Sequence, residues 1–287
     1  MDDKMNIQWY PGHMTKTRRQ IEADLKQVDA VCEIVDARIP ISSRNPDIDA
    51  ICGTKPRIIV LNRMDLADPA ATKRWAQYFK SKGMAVIATD CKSRRGIADF
   101  TPAARTACAE KIRRDAARGM SRPIRVMVVG IPNVGKSTLI NQISGRKGAK
   151  AENRPGVTRG KQWVTVDNSL LLLDTPGILW PKFEDPEVGM MLAYTGAVKE
   201  DVIDIEELAC RLMTLLHKYY PQALLERYKV EAESGTSGYE LIQLAGKKRG
   251  YLLARGEIDT ERMSKVLIDE FRSGKLGKFT LEMPEEV

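Results

Sequence analysis

The octapeptide Gly130-Ile131-Pro132-Asn133-Val134-Gly135-Lys136-Ser137 fits G-x-x-x-x-G-K-[ST] at every defined position. The apolar run at residues 125–129 leads into it, and Thr138-Leu139-Ile140-Asn141 continues from it as a helix former. A strand that turns through glycines into a helix is a phosphate cradle. Glycines let backbone N–H groups turn inward around phosphate oxygens, and the helix N-terminus adds positive potential. Lys136 is spaced to reach β- and γ-phosphates, and the Ser137 hydroxyl to ligate Mg²⁺. The phosphate-binding set read from this loop is Asn133, Val134, Gly135, Lys136, Ser137 and Thr138.

The chain around the cradle alternates short β-rich runs with helical stretches. Strands are expected at residues 28–35, 57–61, 84–88, 124–129, 162–166 and 170–173, with helices at 15–27, 69–82, 97–118 and 136–144. Alternation of this kind implies a mainly parallel sheet with helices on both faces. The pair 162–166 and 170–173, joined by Asp167-Asn168-Ser169, reads as a hairpin and so as one antiparallel edge. The pattern changes beyond residue 184. Asp204-Ile205-Glu206-Glu207 and Ser237 to Glu240 read as capping boxes. Leu208, Leu212, Leu215, Leu216 and Tyr219 follow at helical spacing until Pro221, and Met263, Val266, Leu267 and Phe271 mark a last helix. Two domains are expected, an α/β domain over 1–182 and a small all-helical one over 183–287.

Composition narrows the class further. No apolar run approaches the roughly 18 residues a membrane helix needs, and Met1-Asp2-Asp3-Lys4 does not open a signal peptide. Five scattered cysteines without a Cys-x-x-Cys, and only two histidines, argue against a disulfide framework or a zinc site and fit a reducing cytoplasm. The net charge of +8 is uneven. Residues 1–184 hold 32 basic against 19 acidic side chains, and residues 185–287 hold 14 against 19. The densest basic stretches, 92–125 and 146–161, suit a polyanionic partner, although for any single run a solvated helix face is the simpler explanation.

Two further segments bear on which nucleotide the cradle would hold. Asp174-Thr175-Pro176-Gly177 follows the strand at 170–173, where the acid can hold Mg²⁺ through water and the Gly177 N–H can sense a γ-phosphate. Asn62-Arg63-Met64-Asp65 follows the strand at 57–61 and resembles the Asn-Lys-x-Asp guanine-reading element of GTPases, with Arg63 in place of lysine. A carboxylate at Asp65 can accept both the ring N–H and the exocyclic amine of guanine, a donor pair adenine lacks. Thr89-Asp90-Cys91-Lys92 stands where a second base-contacting loop would lie, and Asp90 and Cys91 are its candidate residues.

The order along the chain is base, base, phosphate, magnesium, γ-phosphate, which resembles the circularly permuted GTPases. Permutation needs only that the original termini lie close together at the surface. Trp9-Tyr10-Pro11-Gly12-His13-Met14, Asp36-Ala37-Arg38-Ile39-Pro40 and Arg154-Pro155-Gly156-Val157-Thr158 are similar to the ribosome biogenesis GTPase A family over essentially the whole chain. The resemblance implies a Ras-like P-loop fold in permuted order followed by a helical domain placed against rRNA. It implies GTP hydrolysis, with GTP or GDP and Mg²⁺ bound, coupled to late maturation of the large ribosomal subunit.

Carried onto this chain, the resemblance makes Thr158 a switch threonine that ligates Mg²⁺ together with Ser137 and Asp174; a surface-loop hydroxyl is the plainer reading. Asn133 resembles the asparagine that helps hold K⁺ in related GTPases. Ile178 stands where Ras-type enzymes carry a water-orienting glutamine, and an aliphatic side chain cannot orient water by hydrogen bonding. The family suggests His13 for that role beside Lys136 and Thr158, the alternative being a histidine that packs or caps. His217, on a helix rich in leucine and tyrosine, reads as structural. The expected partner is a large ribosomal subunit precursor and its rRNA, bound by a protein that is monomeric off the ribosome. A GTP-switched RNA-binding scaffold with negligible catalysis, and a P-loop phosphotransferase acting on a small metabolite, are the competing readings.

Overall fold

Strands buried on both faces cannot alternate polar with apolar residues. That is why β1 (Ala30–Asp36) and β2 (Arg57–Asn62), every residue of which is buried, read as nearly continuous apolar runs. The computed structural model describes residues 21–145, 162–175, 185–198 and 204–286. With β3 (Ala85–Ala88), β4 (Ile124–Val129), β5 (Gln162–Asp167) and β6 (Leu170–Asp174), these strands form one sheet in the order β3-β2-β1-β4-β6-β5. All neighbours are parallel except β5 and β6, the expected hairpin, whose Asn168-Ser169 turn is held by the Asp167 carboxylate accepting the Ser169 N–H at 2.6 Å. The strand sequence reverses direction between β1 and β4. A crevice opens there at the carboxyl ends of the strands, the place where sheets of this kind bind ligands.

Helices α1 (Asp47–Cys52), α2 (Pro69–Ser81), α3 (Phe100–Ala107), α4 (Ala109–Ala117) and α5 (Lys136–Ser144) accompany the sheet. Asp68 starts α2 by accepting the Ala70 and Ala71 N–H groups, with Pro69 at the first helical position, where no amide donor is required. The expectation of one helix over 97–118 is corrected. A 3₁₀ turn (Ile97–Asp99), α3 and α4 replace it, with the break at buried Cys108. The break separates two kinds of surface, since α3 buries Phe100 and Ala104 whereas α4 buries nothing.

Five helices follow: α6 (Pro186–Tyr194), α7 (Ile205–Tyr219), α8 (Pro221–Tyr228), α9 (Gly238–Arg249) and α10 (Thr260–Ser273). At Ser237 both halves of the capping box form, and α9 ends on left-handed Gly250. At Asp204 only half does. Its carboxylate accepts the Glu206 and Glu207 N–H groups, but the Glu207 side chain turns to Arg211 and that of Glu206 to Thr260. Pro221 ends α7 as expected and also opens α8, its fixed φ suiting the first helical position. The apolar stripes of α7, α9 and α10 (Leu212, Leu216, Leu241, Ile242, Leu267 and Phe271 among them) close on one another and join the apolar cluster that covers one side of the sheet. The expected domain boundary at 182/183 lies outside the described residues, and among those described no helix is long and apolar enough to cross a membrane.

Past α10 the chain returns to the sheet as a strap. The Phe279 N–H donates to Leu66 O at 2.9 Å and the Leu281 N–H to Arg38 O at 2.8 Å. Glu282 accepts the Ile41 and Ser42 N–H groups at 2.7 and 3.0 Å, while its own carbonyl accepts Trp75 Nε1 at 2.8 Å. Tyr220 Oη donates to Thr280 O, and the Phe279 ring packs on Tyr220 and Phe271 at centroid distances of 5.0 and 6.0 Å. Phe279→Ala empties a fully enclosed ring site, so it should lower unfolding free energy by about 3–5 kcal/mol, read as a lower urea midpoint with unchanged far-ultraviolet dichroism at 25 °C.

Candidate nucleotide site at the carboxyl edge of the sheet

The phosphate loop leaves β4 at the crevice. Gly130 has φ +156°, and a Cβ there would stand 2.6 Å from Ile34 O; Gly135 has φ +107°, and its Cβ would stand 2.4 Å from Asn62 Nδ2. No side chain fits at either position, which is the structural reason for both glycines. Lys136 opens α5 and is 7% exposed. Its ammonium donates to Gly130 O at 3.0 Å and Ile131 O at 2.9 Å. Burial lowers its pKa to about 8, with the Asp174 charge pulling the other way. Ser137 and Thr138 lie in the first turn of α5, where main-chain donors are left free by the helix geometry.

Asp174 ends β6 at the same edge. Burial raises its carboxyl above the ordinary range, opposed by Lys136, and its Oδ1 is buried without a hydrogen-bond partner among the described residues. An orphaned hard oxygen close to the lysine that opens α5 suits a small divalent cation, so the residues present fit Mg²⁺.

The base-reading candidates come from the end of β2 and converge on the same loop. Asn62 Nδ2 donates to Val134 O at 2.7 Å, and its Oδ1 accepts from Thr89 Oγ1 at 3.2 Å and from the Cys91 N–H at 3.4 Å. Arg63, in the left-handed region at φ +60°, donates through Nη2 to Asn133 O at 2.7 Å. Asp65, two residues on, is half-buried. The Asp90 carboxylate is engaged within its own loop, accepting the Lys92 N–H at 3.0 Å, the Ser93 N–H at 3.2 Å and the Ser93 hydroxyl. That loop is therefore shaped by Asp90. Burial pushes the Cys91 thiol up to about 11, which keeps it neutral. Asn133 also donates from its side chain to Gly196 O at 3.3 Å, docking the phosphate loop on the end of α6.

The structure thus brings Asn62, Arg63, Asn133, Val134, Gly135, Lys136 and Asp174 to one edge, with Asp65, Asp90 and Cys91 on the adjoining loops. His13, Thr158 and Gly177 lie outside the described residues. His217 meets Ala232 O at 3.2 Å on the helical side, in keeping with a structural role. Two residues quoted only as parts of motifs gain specific contacts. Thr89 completes the clamp on Asn62, and Asp36, the last residue of β1, faces Arg63.

A phosphate cradle tied to a base-reading loop at the switch point of a mainly parallel sheet defines a P-loop GTPase. Residues 125–233 match the family described as 50S ribosome-binding GTPase. The chain is 47% identical to ribosome biogenesis GTPase A of Bacillus cereus over 98% of its own length and 95% of that protein's. It is 46% identical to the protein of the same name from Priestia megaterium, over 98% of each chain. A solved GDP-bound structure of YlqF from T. maritima superposes with a TM-score of 0.67 at 29% identity, covering 93% of this chain and all of that one. The chain belongs to the ribosome biogenesis GTPase A family of circularly permuted GTPases.

Gly135→Ala drives a methyl into Asn62 and should weaken GDP binding at least about tenfold, measured by calorimetry. Lys136→Met should abolish GTP turnover.

Proposed function

We propose that this GTPase is an assembly factor for the large ribosomal subunit precursor. It binds the particle with GTP in place, promotes late maturation in the cytoplasm, and is released on hydrolysis. The observation that carries the nucleotide half of this reading is the pair of bonds from Asn62 to Val134 O and from Arg63 to Asn133 O, which fix the two candidate ends of one nucleotide site against each other.

In this reading Asp65 accepts the two guanine N–H groups, and the Arg63 stem lies along the base. Main-chain donors from Asn133 to Thr138 wrap the phosphates, and the Lys136 ammonium exchanges its two loop carbonyls for β/γ-phosphate oxygens. Ser137, Asp174 and Thr158 hold Mg²⁺, which when bound neutralises charge on the β- and γ-phosphates. Gly177 senses the γ-phosphate, and His13 orients the attacking water in place of a glutamine. Asn133 contributes to a K⁺ site.

The partner half rests on surface chemistry. Helix α4 buries no residue and exposes Arg113 and Arg114, with Arg118 just beyond it. A helix that touches the core only partly, through Ile112 among its apolar residues, and carries clustered guanidinium groups suits a phosphate backbone. The GTPase domain, residues 1–182, supplies most of the salt-dependent attraction, and the helical domain, residues 183–287, adds contacts through Lys247, Lys248 and Arg249 at the end of α9. Off the ribosome the protein is a monomer.

Sedimentation with large-subunit precursors should show binding with a non-hydrolysable GTP analogue and release with GDP. Equal binding in both states overturns the switch, and absence of phosphate release with subunits present leaves only the scaffold reading. Neutralising Arg113, Arg114 and Arg118 together should reduce the slope of log affinity against log salt by about three. His13→Ala should preserve GTP affinity and lower subunit-stimulated turnover, and unchanged stimulation removes His13 from the mechanism.

A further inference from the structure

The acid–arginine pair at the end of β1 lies in none of the roles assigned above, yet it adjoins the nucleotide site. Asp36 is 3% exposed and Arg38 fully buried. Asp36 Oδ1 accepts the Arg38 N–H at 3.0 Å and Arg38 Nε at 2.9 Å, and Oδ2 accepts Arg38 Nη2 at 2.7 Å. The Phe271 ring of α10 covers the Arg38 guanidinium at 5.4 Å. The Asp36 carboxylate meets Arg38 through both of its oxygens, and a structural device of this kind needs no third member. It nevertheless has a third member. Arg63 Nε lies 3.7 Å from Asp36 Oδ2, while Arg63 Nη2 donates to Asn133 O at 2.7 Å. Asp36, Arg63, Asn133 and Val134 come together where the phosphate loop meets the end of α6.

The Arg63 side chain is therefore fixed at two points, by an anion on one edge of its guanidinium and a carbonyl on another. A lysine has a single charged nitrogen and cannot span both partners, whereas a planar guanidinium can. Fixing the head group also fixes the aliphatic stem, the part of Arg63 placed to lie along a base.

We infer that Asp36 is a positioning residue for guanine-nucleotide binding: it orients Arg63, so that the stem of Arg63 is set before the base arrives. The inference rests on the placement of the base against Arg63 proposed above. Asp36 touches no part of the nucleotide and acts only through its neighbour. Preorganisation of this kind lowers the ordering cost of binding, and so it changes affinity more than turnover.

A thermodynamic cycle tests it. The paired change Asp36→Asn with Arg38→Met removes both charges of the buried pair together, and Arg63 keeps its bond to Asn133 O. It is made in the native background and in an Arg63→Met background, and GDP affinity is measured by calorimetry alongside urea stability. If Asp36 acts through Arg63, the paired change weakens GDP binding about tenfold in the native background and less than twofold with Arg63→Met, whatever it does to the urea midpoint. Equal weakening in both backgrounds, or none in the native one, overturns the inference. Should the paired variant fail to fold, Asp36→Glu keeps the charge and displaces the carboxylate by one methylene, and the same two-background comparison decides. The GDP-over-ADP preference of the unsubstituted protein separates the two failures. Indifference there removes the base site itself, whereas a retained preference with equal weakening removes only Asp36.

Discussion

One side-chain amide holds the nucleotide edge together. Asn62 gives its N–H to the phosphate loop at Val134 and takes hydrogen bonds from Thr89 and Cys91 of the neighbouring loop. Three segments that leave three different strands are thereby locked at hydrogen-bond precision. The close approach also explains Gly135, since Asn62 occupies the space a Cβ would need. An asparagine suits this position because one planar group both donates and accepts, and because burial makes either unpaired half costly. The amide bridges chain segments 72 residues apart in a permuted order, and the site depends on that bridge rather than on sequence adjacency.

Charge is distributed around this bridge in a layered way. Deep in the sheet, Glu33 is met by Arg44 and Arg57, which tie the turn before α1 to the start of β2. At the strand ends, burial would raise the Asp36 carboxyl, but Arg38 and Arg63 outweigh it and hold the group below the ordinary carboxylate range. At the end of β6, Asp174 keeps one oxygen without a hydrogen-bond partner among the described residues, and the Lys136 ammonium donates to two main-chain carbonyls. The helical segment enters this arrangement at Phe271 over Arg38, at Gly196 against Asn133 and through the strap at Leu66.

Much of the sheet was legible because buried parallel strands leave unbroken apolar runs, and the Gly130–Ser137 loop specified its own strand and helix. The hairpin and the α9 capping box were equally local signals. Short helices were not. Neither α1 with six residues nor α6 and α8 with nine and eight span enough turns to show a period. The helix over 97–118 was read as continuous because its composition is helical throughout, and only the change of buried face at Cys108 divides it. At the site, the phosphate loop and the Asn62 tetrapeptide could be picked out as residue types, but not the partners that fix them. Thr89 and Asp36 stand inside recognisable motifs, but their contacts with Asn62 and Arg63, like those of the strap, are made across space, for which one sequence holds no pattern.

The strap has a kinetic side. Thr280 meets Asp68 across 212 residues and Ala37 across 243. Closing so long a loop costs entropy that grows with the logarithm of its length, and contacts of this separation slow folding. The loop after β2 thus takes part of its support from residues more than two hundred positions downstream, and that support depends on the helices between them being in place.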